Sequence, residues 1–114
     1  MSVVQVLEYL DAQGRSPYAA WFNKLNANAA AKVAVALYRL EEGNSSNVKG
    51  VGEGVFERKI DFGPGYRIYF GKDGERMVIL PGGSSKERQR EAIATAHYRW
   101  ADYKRRKETP STEG

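Results

Sequence analysis

Cysteine is absent from the 114 residues of this chain. Disulfide bridges, thiol catalysis and cysteine-ligated metal sites are therefore excluded. Histidine is scarce as well, because His97 is the only one. A lone histidine cannot form a histidine-based acid–base pair, and without further ligands at suitable spacing it predicts no metal site. We interpret His97 as a residue on the surface of a helix.

Long apolar runs are also missing. No segment approaches the roughly 18 apolar residues of a membrane-spanning helix. The N-terminal "MSVVQVLEYL" lacks the basic start and long apolar run of a secretion signal. We therefore expect a soluble, cytoplasmic protein. The length suits one domain over 1–107, followed by a polar tail at 108–114 that predicts disorder.

Charge is distributed unevenly along the chain. Residues 1–54 carry five lysines and arginines and five acids, whereas residues 55–107 carry thirteen basic residues and seven acids. A basic half favours a polyanionic partner, because phosphate contacts dominate the affinity of proteins for nucleic acids. It is equally compatible with a solvated basic surface that only keeps the protein soluble.

The first half of the sequence predicts one strand and two helices. The β-rich run 3–10 precedes a turn, after which Ser16 is a suitable N-cap with Pro17 at the first helical position. A short helix is expected over 18–25 and an alanine-rich helix over 27–43. The apolar residues of the second helix form one stripe, made of Ala30, Val33, Ala34, Leu37 and Leu40.

The second half predicts three strands and a helix. Residues 44–54 form a polar loop, and a hairpin turn is expected at Asp73-Gly74. The helix covers 84–106, with Ser84 or Ser85 as its N-cap. The strands are expected at 55–62, 66–70 and 77–83, the last buried on both faces. This order predicts a small α+β domain, with helices covering one face of an antiparallel-rich sheet.

Alternation places polar side chains of two predicted strands on one face of the sheet. Glu57 and Lys59 share this face with Arg67 and Tyr69 of the next strand. If exposed, these side chains could hold a phosphate and stack a base, although an ordinary wet sheet face shows the same pattern. Cations that follow the last strand could be aimed at the same groove, namely Lys86, Arg88 and Arg90.

Two blocks of the sequence resemble those of a known family. The blocks are "DFGPGYRIYF" at 61–70 and "GGSSKERQ" at 82–89, and the likeness runs from about Val3 to Lys104. In these blocks the chain resembles the addiction-module killer proteins, a HigB-like branch of the RelE/ParE toxins of type II toxin–antitoxin pairs. The resemblance implies a RelE/ParE-like sheet with two N-terminal helices packed on one side.

The resemblance also implies a function. The best-studied members of this superfamily cut mRNA in the ribosomal A site without metal, whereas ParE-type members poison DNA gyrase. We therefore expect a toxin that inhibits translation as a ribosome-dependent mRNA endoribonuclease, with no cofactor. A cognate antitoxin, commonly a small helix-turn-helix protein, is the second expected partner. Two alternatives stay open: a ParE-like inhibitor of DNA gyrase, and a catalytically silent module that only binds its antitoxin.

Residue roles follow from the same resemblance. Arg67 matches the strand arginine that many RelE-like nucleases place against the scissile phosphate, and Lys59 matches a basic position of the preceding strand. Relatives usually read "ELRI" where this chain reads "ERKI" (57–60), so Lys59 replaces an arginine and Arg58 replaces a core leucine. Lys86 and Arg88 stand roughly where several relatives have a catalytic tyrosine or histidine.

The strand pattern and the resemblance together give two sets of expected site residues. The catalytic set is Lys59, Arg67, Lys86 and Arg88. The RNA-binding set is Glu57, Tyr69 and Arg90. In the expected reaction Arg67 holds the phosphate oxygens, and Lys59 deprotonates the 2′-hydroxyl or stabilises the pentacovalent charge.

Overall fold

The computed structural model describes residues 5–83 and 88–108. Within these residues the chain forms β1 (Gln5–Glu8), α1 (Pro17–Phe22), α2 (Ala27–Glu41), β2 (Val48–Gly50), β3 (Val55–Ile60), β4 (Tyr66–Asp73), β5 (Arg76–Gly83) and α3 (Gln89–Glu108). The α+β composition is confirmed. The structure contains one strand more than the sequence predicts. This strand is β2, and it lies within segment 44–54, which the sequence predicts as a polar loop. No helix of the described residues is long and apolar enough to cross a membrane.

The strands form one sheet in the order β1-β5-β4-β3-β2. β1 pairs in parallel with β5, and the other neighbouring strands are antiparallel. The predicted hairpin at Asp73-Gly74 is confirmed, and Gly74 adopts a φ of 62°, which favours glycine. β5 is buried on both faces as predicted, since its residues from Met77 to Leu80 are all buried.

Both N-terminal helices begin at a side-chain cap. The Ser16 hydroxyl accepts a hydrogen bond from the backbone N–H of Ala19 at 3.0 Å, and Pro17 is the first helical residue, as predicted. Asn26 caps α2 in the same way, accepting from the N–H of Ala29 at 2.8 Å. The two caps therefore fix the residue at which each helix begins.

α1 and α2 cover one face of the sheet. The buried stripe of α2 consists of Ala29, Val33, Ala36 and Leu40. Val33 and Leu40 are thus confirmed, whereas the predicted Ala34 is exposed. The predicted stripe is displaced because alanines occur all around α2 and do not mark which side is apolar. The stripe packs with Ile60, Ile68 and Phe70 of the sheet.

α3 covers the opposite face of the sheet, so the prediction of helices on one face only is wrong. Ala96 and Trp100 of α3 form a second core with Tyr69 and Val78 of the central strands. The physical reason is that β4 and β5 carry apolar side chains on both faces, and each face needs a covering layer.

Trp100 packs directly on the backbone of β4 at Gly71. A Cβ atom at Gly71 would lie 2.5 Å from the indole Cδ2 and Cε3 atoms. A strand glycine often marks such a close approach of another group. This contact brings the middle of α3 against the centre of the sheet.

Two carboxylates anchor the C-terminal half of α3. Asp102 accepts a hydrogen bond from the hydroxyl of Tyr9 at 2.7 Å and forms an ion pair with Arg106. Asp73, at the β4–β5 hairpin, accepts a hydrogen bond from the hydroxyl of Tyr103 at 2.9 Å. The helix is therefore held at its far end as well as at Trp100. The N-caps predicted at 84 and 85 lie outside the described residues.

Candidate functional site

Two open depressions lie side by side on the sheet, and Lys59 and Arg67 line both of them. The first is lined in addition by the β3–β4 turn, residues 61–65. The second is lined in addition by Asn47, Val48, Lys49, Glu57 and Gln89, from β2, β3, α3 and the loop before β2. Each depression has a volume of about 410 Å³. We call the two together the basic groove.

The strand register sets two cations directly opposite each other in this groove. Lys59 of β3 is the cross-strand partner of Arg67 of β4. Like charges in this position destabilise a sheet, so the pair is not explained by stability. Lys59 is exposed and has its Nζ 3.5 Å from Asp61 Oδ1, whereas Arg67 is only 8% exposed. The sequence prediction that these two residues lie together is confirmed.

Glu57 is the buried anion beside these cations. This residue is 2% exposed, and its Oε2 accepts a hydrogen bond from Gln89 Nε2 at 2.8 Å. The Nε of Arg67 is 3.6 Å from the same oxygen, and the Nζ of Lys49 is 3.7 Å from Oε1. Both distances are longer than a charge-assisted hydrogen bond. The carboxylate therefore lowers the positive potential of the groove without hydrogen-bonding Lys49 or Arg67.

Arg67 keeps an unused hydrogen-bond donor. Its Nε is buried and has no hydrogen-bond partner in the part of the chain that the structure describes. An unpaired buried donor costs free energy, and on a cation it is a favourable partner for an anion. The Nε itself is buried, so a ligand in the groove meets the part of Arg67 that lines the two depressions.

Tyr69 and Glu57 do not form the exposed face that the sequence predicts. Tyr69 has no exposed surface, because α3 lies over it. Burial, together with the neighbouring Glu57 carboxylate, raises the pKa of Tyr69, so its phenol is neutral in ordinary buffers. A ring without exposed surface cannot stack on a base in this conformation. The expectation of a base-stacking Tyr69 is therefore wrong for this arrangement, while Glu57 does line the groove.

The start of α3 contributes Gln89 to the groove. Its neighbours Arg88 and Arg90 are exposed, and neither is among the described lining residues. Lys86, which is also a predicted catalytic residue, lies outside the described residues. The structure thus brings together Glu57, Lys59 and Arg67 of the expected sites. Arg88 and Arg90 lie on either side of a lining residue.

Sequence reasoning did not identify Gln89 or Lys49. An uncharged amide in the first turn of a helix resembles an ordinary solvent-exposed residue. Lys49 belongs to β2, a strand too short to show alternation. Recognising "NVKG" as an edge strand beside β3 would have placed Lys49 next to Glu57, its cross-strand partner.

Arg58 and His97 have local partners outside the groove. Arg58 is 4% exposed, and its Nη1 donates a hydrogen bond to the backbone carbonyl of Asn44 at 3.2 Å. Burial, with nearby Arg39, lowers the pKa of Arg58. His97 is half-buried rather than a free surface residue, with its Nε2 2.9 Å from the carbonyl oxygen of Val51. Within the described residues, no group of three histidine, aspartate or glutamate side chains could hold a metal ion.

The chain is similar in sequence to a bacterial protein. No family model matches the sequence. An uncharacterized protein of Haemophilus influenzae is 40% identical over 77 residues, which cover 67% of this chain and 78% of that protein. This identity, extended over most of the relative, shows common descent. The chain therefore belongs to the same family as this Haemophilus protein.

Proposed function

We propose that the chain is the toxin of a type II toxin–antitoxin pair, and that it inhibits translation as a ribosome-dependent mRNA endoribonuclease. The observation that carries the proposal is the pair Lys59–Arg67, two directly opposed cations at the junction of two open depressions. The resemblance of the chain to the RelE/ParE toxins is the reason for proposing the ribosome and an antitoxin as its partners. The proposed reaction requires no metal.

A phosphodiester fits the chemistry of the groove. Arg67 is mostly buried but lines both depressions, and a guanidinium matches the paired oxygens of a phosphate. Lys59 reaches the same junction from the neighbouring strand and is more exposed. An RNA strand with its phosphate bound at this junction would place one nucleotide in each depression, on either side of the phosphate. Single-stranded RNA is therefore the substrate that we assign.

The reaction is an internal transfer at phosphorus. The 2′-hydroxyl oxygen forms a bond to the adjacent phosphorus, and the bond from phosphorus to the 5′-oxygen breaks. The 2′-hydroxyl loses its proton and the departing 5′-oxygen gains one, giving a 2′,3′-cyclic phosphate and a 5′-hydroxyl. Arg67 binds the phosphate oxygens, and the Lys59 ammonium stabilises the pentacovalent charge. Water accepts the proton of the 2′-hydroxyl and supplies the proton that the departing 5′-oxygen gains. Arg88, beside the groove, supports the leaving oxygen.

The test is cleavage of translated mRNA in cells. Regulated expression followed by primer extension should give cuts within translated messages. Arg67→Ala and Lys59→Ala should each reduce cleavage by about 100-fold or more, the usual loss when an electrostatic contact to the transition state is removed. Lys72→Ala is the matched control, because Lys72 is an exposed cation of β4 beside the ring of Phe56, outside the groove.

Three results would contradict the proposal. Gyrase-dependent DNA breaks with intact mRNA would support the ParE-like alternative instead. Toxicity that survives Arg67→Ala in a folded protein would place the site elsewhere. A chain that binds its antitoxin but causes neither effect would be the catalytically silent alternative.

The antitoxin is proposed as a small helix-turn-helix protein encoded beside this chain. A basic toxin is neutralised most simply by a partner that covers its cations. Co-expression with the adjacent reading frame should yield a stable complex and suppress the mRNA cuts. A neighbouring protein that leaves cleavage unchanged is not the antitoxin.

A further inference from the structure

We propose that Gln89 is a positioning residue that holds Glu57 away from Arg67 and so keeps the guanidinium available to a phosphate. The use of this arrangement in RNA binding rests on the proposed function. The arrangement itself is a property of the folded chain, and it can be tested without RNA.

The distances around Glu57 carry the proposal. Its Oε2 is 2.8 Å from the amide nitrogen of Gln89 but 3.6 Å from the Nε of Arg67. A carboxylate beside a guanidinium ordinarily closes to about 2.7–2.9 Å and often binds it through two parallel hydrogen bonds. Here that closure has not occurred, and the Arg67 Nε has no partner among the described residues.

Because Glu57 is buried, the hydrogen bond from the Gln89 amide is important for the position of its carboxylate. Glu57 is 2% exposed, so little water can satisfy its oxygens. An ionised carboxylate can only accept hydrogen bonds, so Gln89 must turn its NH₂ group toward it. Lys49 and Tyr69 also lie beside Glu57. However, Oε2 is the oxygen that faces both Gln89 and Arg67. The position of this oxygen depends on which of these two donors binds it. The structure shows the first of these states.

Loss of the amide should favour the second state. In Gln89→Met the side chain keeps nearly the same length but donates nothing, so Glu57 moves onto Arg67. The carboxylate then neutralises more of the guanidinium charge, so a phosphate in the groove gains less from Arg67. The variant removes no positive charge, yet it should weaken anion binding. Adding Glu57→Gln removes the competing anion and should restore it.

The first experiment measures the position of Glu57 by NMR of the Arg67 Nε–H group. The protein is labelled with ¹⁵N-arginine, and the signal is assigned by its loss in Arg67→Lys. In Gln89→Met the Nε–H proton should shift downfield and exchange more slowly with water, because it gains a carboxylate partner. In Glu57→Gln/Gln89→Met the change should be absent. Ala94→Met, at an exposed position of the same helix, should leave the signal as in the wild type.

The second experiment measures binding of a single-stranded oligoribonucleotide whose 2′-hydroxyls are methylated, so that it cannot be cleaved. Gln89→Met should raise Kd by about tenfold, the effect of one hydrogen bond to a charged group. The double variant should return to within about threefold of Glu57→Gln alone, within the scatter of mutational effects. Thermal unfolding of each variant checks that the fold is retained.

The outcomes separate this inference from the proposed function. An Arg67 signal that is unchanged in Gln89→Met overturns the positioning role. Equal losses of binding in the single and double variants also overturn it, because they indicate that Gln89 contacts the ligand itself. If the wild type neither binds the oligonucleotide nor cuts translated mRNA in cells, the proposed function fails. If only oligonucleotide binding is absent, the ribosome is required for RNA binding. In both cases the NMR signal still decides the role of Gln89.

Discussion

Gly71 shows how one residue fixes the relation between a helix and the sheet. Trp100 occupies the space in which any other side chain at this position would begin. The indole therefore packs on the backbone of β4 rather than on a neighbouring side chain. No local pattern in the sequence marks this glycine as different from those of the turns.

The first prediction concerns the substitution Gly71→Ala. The added methyl group overlaps the indole ring, so Trp100 must move, and α3 with it. We expect a loss of about 1–3 kcal/mol in the free energy of unfolding, as for other overpacked cores. Urea denaturation followed by tryptophan fluorescence measures this change.

Gly50→Ala serves as the control for Gly71→Ala. Gly50 is also a strand glycine, and a Cβ there meets only Phe56, at 4.0 Å. Its substitution should change the free energy of unfolding much less. Equal losses in both variants would show that strand glycines matter here for a reason other than the Trp100 contact.

The elements of the fold differ in how far the sequence determines them. The cap of α1 at Ser16 and Pro17 after it are local features that the sequence predicts correctly, although the helix ends at Phe22 and not at residue 25 as predicted. β2 is three residues long and forms by pairing with β3, so its existence depends on a distant partner. For α3 the sequence predicts a helix with an apolar side. The sheet face that this helix covers depends on the path of the chain and cannot be predicted from the helix itself.

The candidate site shows the same division. Alternation along β3 and β4 brings Lys59 and Arg67 together, because both strands are long enough to display it. Gln89 reaches Glu57 only because α3 lies over that face. Its part in the groove therefore cannot be inferred before the place of the helix is known.

The second prediction concerns the acid stability of α3. Hydrogen bonds from Arg106 and Tyr9 hold the pKa of Asp102 below its usual value, and those from Lys107 and Tyr103 do the same for Asp73. A carboxyl whose pKa is lower in the folded state stabilises the fold fully above the unfolded pKa of about 3.9. This contribution is lost as the pH falls through the lower folded pKa.

Asp102→Asn should therefore reduce the dependence of stability on acid pH. Urea unfolding between pH 7 and pH 2 is expected to show a steeper loss for the wild type than for the variant. Asp61→Asn is the control, because Asp61 is an exposed carboxylate away from α3. Parallel curves for the wild type and Asp102→Asn would contradict the assigned role of this carboxylate.

At the scale of the whole molecule, the basic groove lies where three parts of the chain meet. The β3–β4 hairpin provides the opposed cations, β2 provides Lys49, and α3 provides Gln89. The formal net charge is +4, and the residues that line the groove carry three cations and two carboxylates. A polyanion bound there would release its counterions in proportion to the phosphates that it contacts.

The third prediction is the salt dependence of RNA binding. With three or four phosphates neutralised, log K for a single strand should fall with log salt concentration at a slope of about −2 to −3. Lys49→Ala should make that slope less negative by about 0.7, the share of one phosphate contact. Fluorescence anisotropy at several salt concentrations measures both slopes. An unchanged slope in Lys49→Ala would exclude Lys49 from phosphate contact.

The opposition of Lys59 and Arg67 has a consequence for evolution and engineering of this fold. Repulsion between cross-strand cations is present whenever the groove is empty, so the site opposes the stability of its own sheet. Lys59→Thr should raise the free energy of unfolding by a few tenths of a kcal/mol while weakening oligonucleotide binding. A chain selected for stability alone would therefore lose Lys59 early, and its retention would indicate selection for a bound anion.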